Sequence, residues 1–212
     1  MVCYVSITGT TTAGKTTLLR ALQEASPEKV RVIPQATCRD RRPDDVDEYF
    51  RFFDQETFEK QQFATKYGKY GLLLHDMEAM RDLPEDTLCV SISGARELAQ
   101  LKRVLPSYIQ AYNVLVRYAG SMAAELEILH NHARNYFSGD ALIERIASHT
   151  RLMEEAFFNQ QYISEHIHVV LERNETLATW LKKVLHGTGS TIIPDAKQLV
   201  DIEGIVLDTA TR

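Results

Sequence analysis

The sequence is short of several things, and each shortage narrows what the chain can be. It holds only three cysteines, Cys3, Cys38 and Cys89, in 212 residues. An odd, widely spaced set predicts thiols in a reducing compartment rather than a disulfide framework. No apolar run approaches the roughly 18 residues of a membrane helix, so no membrane partner is expected. The apolar stretch from Val2 to Ile7 is too short for a signal peptide and has no basic leader, so a cytoplasmic protein is expected. There is no excess of positive charge: the net charge is −5. Long nucleic acid is therefore not an expected partner, although a local basic cluster could still hold small phosphates. Internal repeats and low-complexity segments are missing too.

What remains is ordinary globular material, 44% hydrophobic and 25% charged. That suffices for a core of normal size without a structural metal or disulfide. Apolar runs at Val2–Thr8, Val30–Ile33, Tyr49–Phe53, Leu88–Ile92, Ile109–Arg117 and His166–Leu171 read as strands. Helical spacing predicts helices over Lys15–Glu24, Gly94–Arg103, Met122–His132, Asp140–Phe158 and Glu175–Leu185. Asp54 reads as the N-cap of a helix through Phe63, and a brief helix is expected from Asp76 to Arg81. Ala36–Glu48 reads as a loop, Lys66–Gly71 as a turn and His186–Ser190 as a linker. Phe157, Phe158 and Trp180 are expected to pack against the sheet. Strands and helices alternate, which predicts an α/β domain with a parallel sheet covered on both faces and ligands at the carboxyl ends of its strands.

One segment carries specific chemistry. Gly9-Thr10-Thr11-Thr12-Ala13-Gly14-Lys15-Thr16 fits G-x-x-x-x-G-K-[ST], between an expected strand and an expected helix. Glycines let the backbone wrap so that successive N–H groups point at phosphate oxygens, and the helix N-terminus adds a favourable dipole. Lys15 supplies a compact positive charge and the Thr16 hydroxyl can ligate magnesium. Gly9 to Thr17 is thus the expected ATP site, with Mg²⁺ at Thr16.

Downstream, Thr37-Cys-Arg39-Asp-Arg41-Arg42-Pro43 puts three arginines in four residues, ahead of Tyr49-Phe50-Arg51-Phe52. Guanidinium forks bind phosphate bidentately, and a tyrosine hydroxyl can complete such a clamp. Asp40, Asp44, Asp45, Asp47 and Glu48 sit among them, so the run reads equally as a solvated charged loop. The pairs His130/His132 and His166/His168 do not make a metal site. Residues two apart on a helix diverge, and on a strand no third ligand accompanies the pair.

Taken in order, these segments resemble guanylate kinases. That family has a phosphate loop, then T-T-R-x-x-R-x-G-E, then Y-x-F. K-Y-G-K-Y-G over 66–71 is similar to the family's N-Y-Y-G. Leu88-Cys-Val-Ser-Ile-Ser-Gly94-Ala95-Arg96 is similar to L-D-I-D-V-Q-G-A-R, and Ile143-Glu-Arg145 to the arginine-bearing lid helix. The resemblance runs from about residue 3 to 185 and implies a P-loop kinase fold over 1–185. An acceptor-binding region would lie near 35–80, a helical lid near 120–160, and a tail of unassigned role over 186–212. It implies that Arg39, Arg42, Tyr49 and Tyr70 hold the acceptor phosphate. Lys15, Arg134 and Arg145 would neutralise the transferring phosphoryl group.

The departures fall on base recognition. The glutamate that reads guanine would lie near Ala64–Lys66, which has no acid. The hydroxyl residue after Y-G is Leu72, the two D-I-D aspartates are Cys89 and Ser91, and the serine ahead of T-T-R is Gln35. The expected activity is ATP-dependent phosphoryl transfer to a small phosphorylated acceptor, a nucleoside monophosphate first. A phosphorylated sugar or a non-catalytic binding module stand as alternatives, and homodimerisation is left open.

Overall fold

The computed structural model describes residues 2–10, 13–43, 45–85, 87–106, 109–117, 121–167 and 169–172. The expected helix over 175–185, Trp180, the linker, the tail and His168 lie outside these residues, as do Thr11 and Thr12.

Strand β1 (Cys3–Gly9) runs into helix α1 (Lys15–Ala25), which stops at Ser26 ahead of Pro27; β2 (Val30–Val32) follows. A smaller set of elements comes next: β3 (Gln35–Thr37), β4 (Phe50–Phe52), α2 (Gln55–Glu59), β5 (Phe63–Tyr67), β6 (Tyr70–Leu73) and α3 (Leu74–Glu78), the last extended by a 3₁₀ turn over Ala79–Asp82. The chain then returns through β7 (Leu88–Ile92), α4 (Ala95–Val104) and β8 (Gln110–Arg117). Helices α5 (Met122–Ala133) and α6 (Gly139–Leu152) occupy the expected lid region, α6 continuing as a π turn over Met153–Phe157. Helix α7 (Gln160–His166) and strand β9 (Val169–Glu172) close the described chain.

Two sheets result. The larger has five strands in the order β2-β7-β1-β8-β9, every pairing parallel. Parallel strands need crossover connections, and these put helices on both faces. Hence β1 is buried on both sides. Cys3, Val5 and Ile7 pack with Leu18 and Leu19 of α1. Tyr4 points the other way, into a cluster with Leu98 and Leu101 of α4, Leu129 of α5 and Phe157. Its hydroxyl bonds Ser91 Oγ at 2.6 Å, as a buried phenol requires. The smaller sheet, in the order β4-β3-β6-β5, pairs β3 with β4 in parallel and is otherwise antiparallel. It fills the expected acceptor region. No helix among the described residues is long and apolar enough to cross a membrane.

The structure corrects several expectations. Gln35–Thr37, at the edge of the expected loop, is a strand, fully buried between β4 and β6. The helix capped by Asp54 ends at Glu59. Phe63 instead opens β5, pairing with Leu73 and stacking on the buried Phe58 at 4.8 Å between ring centroids. Cross-strand pairing there outweighs helical spacing that would have carried α2 onward. His166 ends a helix rather than opening a strand.

Candidate functional site

The carboxyl end of β1 meets the amino end of α1 through the glycine-rich turn. A Cβ at Gly9, where φ is +150°, would lie 2.0 Å from the Val116 carbonyl oxygen, so no larger residue fits beside β8. Gly14 caps α1 in a left-handed conformation, φ 100°, and no acidic residue occupies the helix's first turn. The helix N-terminus therefore has its amide dipoles uncompensated, the arrangement an anion favours. Thr16 is half-buried in that first turn and Thr17 is exposed. Ala13 is buried, as is Thr10, whose hydroxyl faces the Glu125 carboxyl on α5.

Lys15 is half-buried rather than a surface residue. Its Nζ folds back over the turn and donates to the carbonyls of Gly9 at 3.0 Å and Thr10 at 2.6 Å. Burial, then the guanidinium groups of Arg42 and Arg145, push its ammonium down to about 8. Those two arginines come from different elements. Arg42 sits on the loop between β3 and β4. Arg145 projects from α6, stacked over the Phe137 ring at 5.7 Å. Burial lowers the Arg145 pKa, the Tyr70 hydroxyl raises it, and Arg42 and Arg39 lower it again. Arg42 and Arg145 line one pocket with His132, His149, Leu129 and Phe137. His149 is driven down to about 3 by burial first, then by Arg145, Lys15, Arg42 and His132.

Arg39 is placed differently. It makes a two-pronged ion pair with Asp45, at 2.6 and 2.5 Å, and its guanidinium stacks on Phe50 and Phe52 at 5.2 and 5.3 Å. Side-chain exposure is 10% for Arg39 and 6% for Asp45, so the pair is sequestered. Asp45 also accepts from the Arg42 backbone N–H at 2.6 Å, which fixes the loop that carries Arg42. The Tyr70 hydroxyl acts on both Arg39 and Arg145 and favours their charged forms.

The expected residues thus divide. Lys15, Arg42, Arg145, Arg39 and Tyr70 belong to one electrostatic cluster. Tyr49 does not turn toward it: the ring is buried in the core and the hydroxyl donates to Gln23 Oε1 at 3.2 Å. Arg134 is exposed at the end of α5, outside the pocket's lining.

The positions that depart from the guanylate kinase pattern are also on view. Leu72, Cys89 and Ser91 are fully buried within the fold. Gln35 is 4% exposed and donates from Nε2 to Glu97 at 3.1 Å. Glu97, 1% exposed, accepts from the Gly94 amide as well, and burial raises its carboxyl to about 7.

Sequence reasoning missed three titratable groups: Glu97, Glu125 and His149. Glu97 stands three residues after Gly94, at capping-box spacing, but Gly94 lacks the side chain that makes the signature readable. His149 follows Arg145 by four residues on α6, so both face the same way, and that spacing was there to be read.

No family model matches the chain, and no curated protein matches it in sequence. Solved structures do resemble it in shape. A guanylate kinase from Anaplasma phagocytophilum superposes with a TM-score of 0.55 at 11% identity, covering 96% of each chain. A sugar kinase from Janibacter sp. HTCC2649 reaches a TM-score of only 0.42 at 14% identity, over 99% of this chain and 96% of its own. The first likeness shows a P-loop kinase-like fold.

Proposed function

We propose that the protein is an ATP-dependent phosphotransferase that moves a phosphoryl group onto a small phosphorylated acceptor. One observation carries the reading. At the phosphate loop, among the described residues, two cations from separate elements, Arg42 and Arg145, act on Lys15. Gathering like charges costs free energy in an empty site and is repaid when a polyanion enters. The division of labour follows from position. Lys15 and the amides up to Thr17 would hold the donor phosphates. The Thr16 hydroxyl, half-buried in the first turn of α1, would be a ligand to magnesium, which would supply charge neutralisation for the donor phosphates. Arg42, steadied by the Arg39–Asp45 pair, would take the acceptor phosphate with Tyr70. Arg145, between the two, would face the transferring group. Positioning and electrostatics provide most of the catalysis in such a reaction, so no general base is required.

Replacing Lys15 by Ala tests this. ADP release from MgATP in the presence of phosphorylated acceptors should fall by about two orders of magnitude or more, the scale of losing one transition-state charge contact. The unfolding midpoint should barely change. A variant that keeps full turnover would contradict the assignment.

On the acceptor, a nucleoside monophosphate is the first reading. A phosphorylated sugar is the second, and the burial of Gln35, Leu72, Cys89 and Ser91 favours it, because those positions are occupied by packing. A site built to hydrogen-bond a base discriminates by about 10⁴ to 10⁵ against a mismatch. GMP should therefore not be the preferred acceptor. Its kcat/KM, set beside those of other nucleoside monophosphates and phosphorylated sugars, decides the matter. A clear GMP preference would mean that a buried acid such as Glu97 reads guanine after all.

A further inference from the structure

The pocket between α5 and α6 contains an imidazole to which the function proposed above gives no role. His149 lies four residues beyond Arg145 on α6, so the two side chains share a face, and both line the pocket together with Arg42. Among the described residues, the charged and titratable groups that act on it most strongly come from four elements: Arg145 from α6, Lys15 from the start of α1, Arg42 from the β3–β4 loop, and His132 from α5. These four are cations or imidazoles. We propose that His149 is a further phosphate-contacting residue of this site, whose imidazole takes up a proton when a polyphosphate enters among Lys15, Arg42 and Arg145. The proposal rests on the phosphate-site reading above.

Polyphosphate binding would reverse the field at the His149 ring. Burial, then the surrounding cations, hold the ring neutral, its pKa driven down to about 3. A polyphosphate brings several negative charges to the same place. Each cation that opposed protonation is then neutralised, and the anion itself favours the imidazolium. The proton comes from solvent and goes to a ring nitrogen, which becomes a donor to a phosphoryl oxygen.

The experiment is calorimetric titration of the full chain with the magnesium complex of AMP-PNP at pH 6.5, in buffers of different ionisation heat. Wild type is compared with His149→Asn and His149→Gln, so that the nucleotide's own protonation cancels. The wild type should take up a larger fraction of a proton than either variant. Its affinity advantage over them should grow as pH falls from 7.5 to 6, by at most about tenfold per pH unit for one proton. In parallel, the His149 ring carbon signal of the wild type, assigned by its loss in His149→Asn, should move to the imidazolium position in the complex. That signal decides the question even if a variant folds poorly. Binding with equal proton uptake in all three proteins and an unmoved ring signal would overturn the role of His149 while leaving the phosphate site intact. Failure of AMP-PNP to bind the wild type would overturn both.

Discussion

Arg39 and Arg42 look interchangeable in the sequence, three residues apart in one basic run, yet they do different physical work. Arg39 is committed to Asp45 and sandwiched against two phenylalanines, with little exposure on either side of the pair. Burial alone would raise the Asp45 pKa, but Arg39 and the Arg42 amide outweigh it and hold the carboxyl below the usual carboxylate range. Truncating Arg39 to Ala strands that carboxylate in a sequestered place, at a cost of about 1–3 kcal/mol of stability. Arg42 is half-buried, and its backbone rather than its side chain bonds Asp45. Arg42→Ala should leave stability within about 0.5 kcal/mol. It should raise the acceptor KM more than that for ATP, because the Arg42 charge also acts on Lys15. Denaturant unfolding and steady-state kinetics of the two variants check the division. Equal stability losses with unchanged acceptor kinetics would make the run a structural charged loop. The arginines were legible as candidates because their spacing is unusual. Which of them is sequestered was not, since that depends on Asp45 folding back and on Phe50 and Phe52 arriving from β4. Tyr49 was misplaced for a related reason: a tyrosine before an alternating strand can point either way, and here the core takes the ring.

Between elements, the contact most exposed to test is that of α5 with the phosphate loop. Glu125 is 2% exposed on α5, beside Thr10. Burial raises its carboxyl to about 7, opposed by Arg117 and by the Thr10 hydroxyl. A folded-state pKa above the unfolded value means that the folded chain binds more protons between about pH 4.5 and 7. Stability therefore falls as pH rises through that window, and the full cost is present above it. Glu125→Gln removes the charge at nearly constant shape. Stability should rise by about 1–3 kcal/mol at pH 8, and the gain should shrink by roughly half at pH 5.5. A gain independent of pH, measured by denaturant unfolding at both values, would show that the carboxyl is not held neutral. The elements themselves were largely legible. The strands of the large sheet are apolar runs, and α1, α4, α5 and α6 have helical spacing, because each buries one stripe against that sheet. The small sheet was only partly legible: Tyr49–Phe53 reads as a strand, but β3 is three residues of glutamine, alanine and threonine with no apolar pattern. It exists through its pairing with β4 and β6. The short α7 carried no periodicity long enough to see.

At the scale of the molecule, the order of segments spoke more clearly than any motif but the phosphate loop. Strand, glycine turn, helix, basic loop, hairpin, second strand and two further helices follow one another in the order that the resemblance to guanylate kinases implies, and the likeness in fold at 11% identity agrees with it. Fold is carried by the alternation of buried strands and covering helices, which tolerates wholesale exchange of side chains. In the proposed function acceptor choice would be carried by a few polar groups, and it is there that this chain departs from the guanylate kinase pattern. The central claim, phosphoryl transfer from ATP to a phosphorylated small molecule, is tested most directly by ADP release. The full chain, MgATP and a panel of nucleoside monophosphates and phosphorylated sugars would be assayed one acceptor at a time. The account predicts that at least one phosphate-bearing acceptor raises ADP release well above the rate with MgATP alone, and that its dephosphorylated counterpart does not. Release that stays at the acceptor-free rate across the whole panel, in a protein shown to bind MgATP, would contradict it and make the chain a nucleotide-binding module.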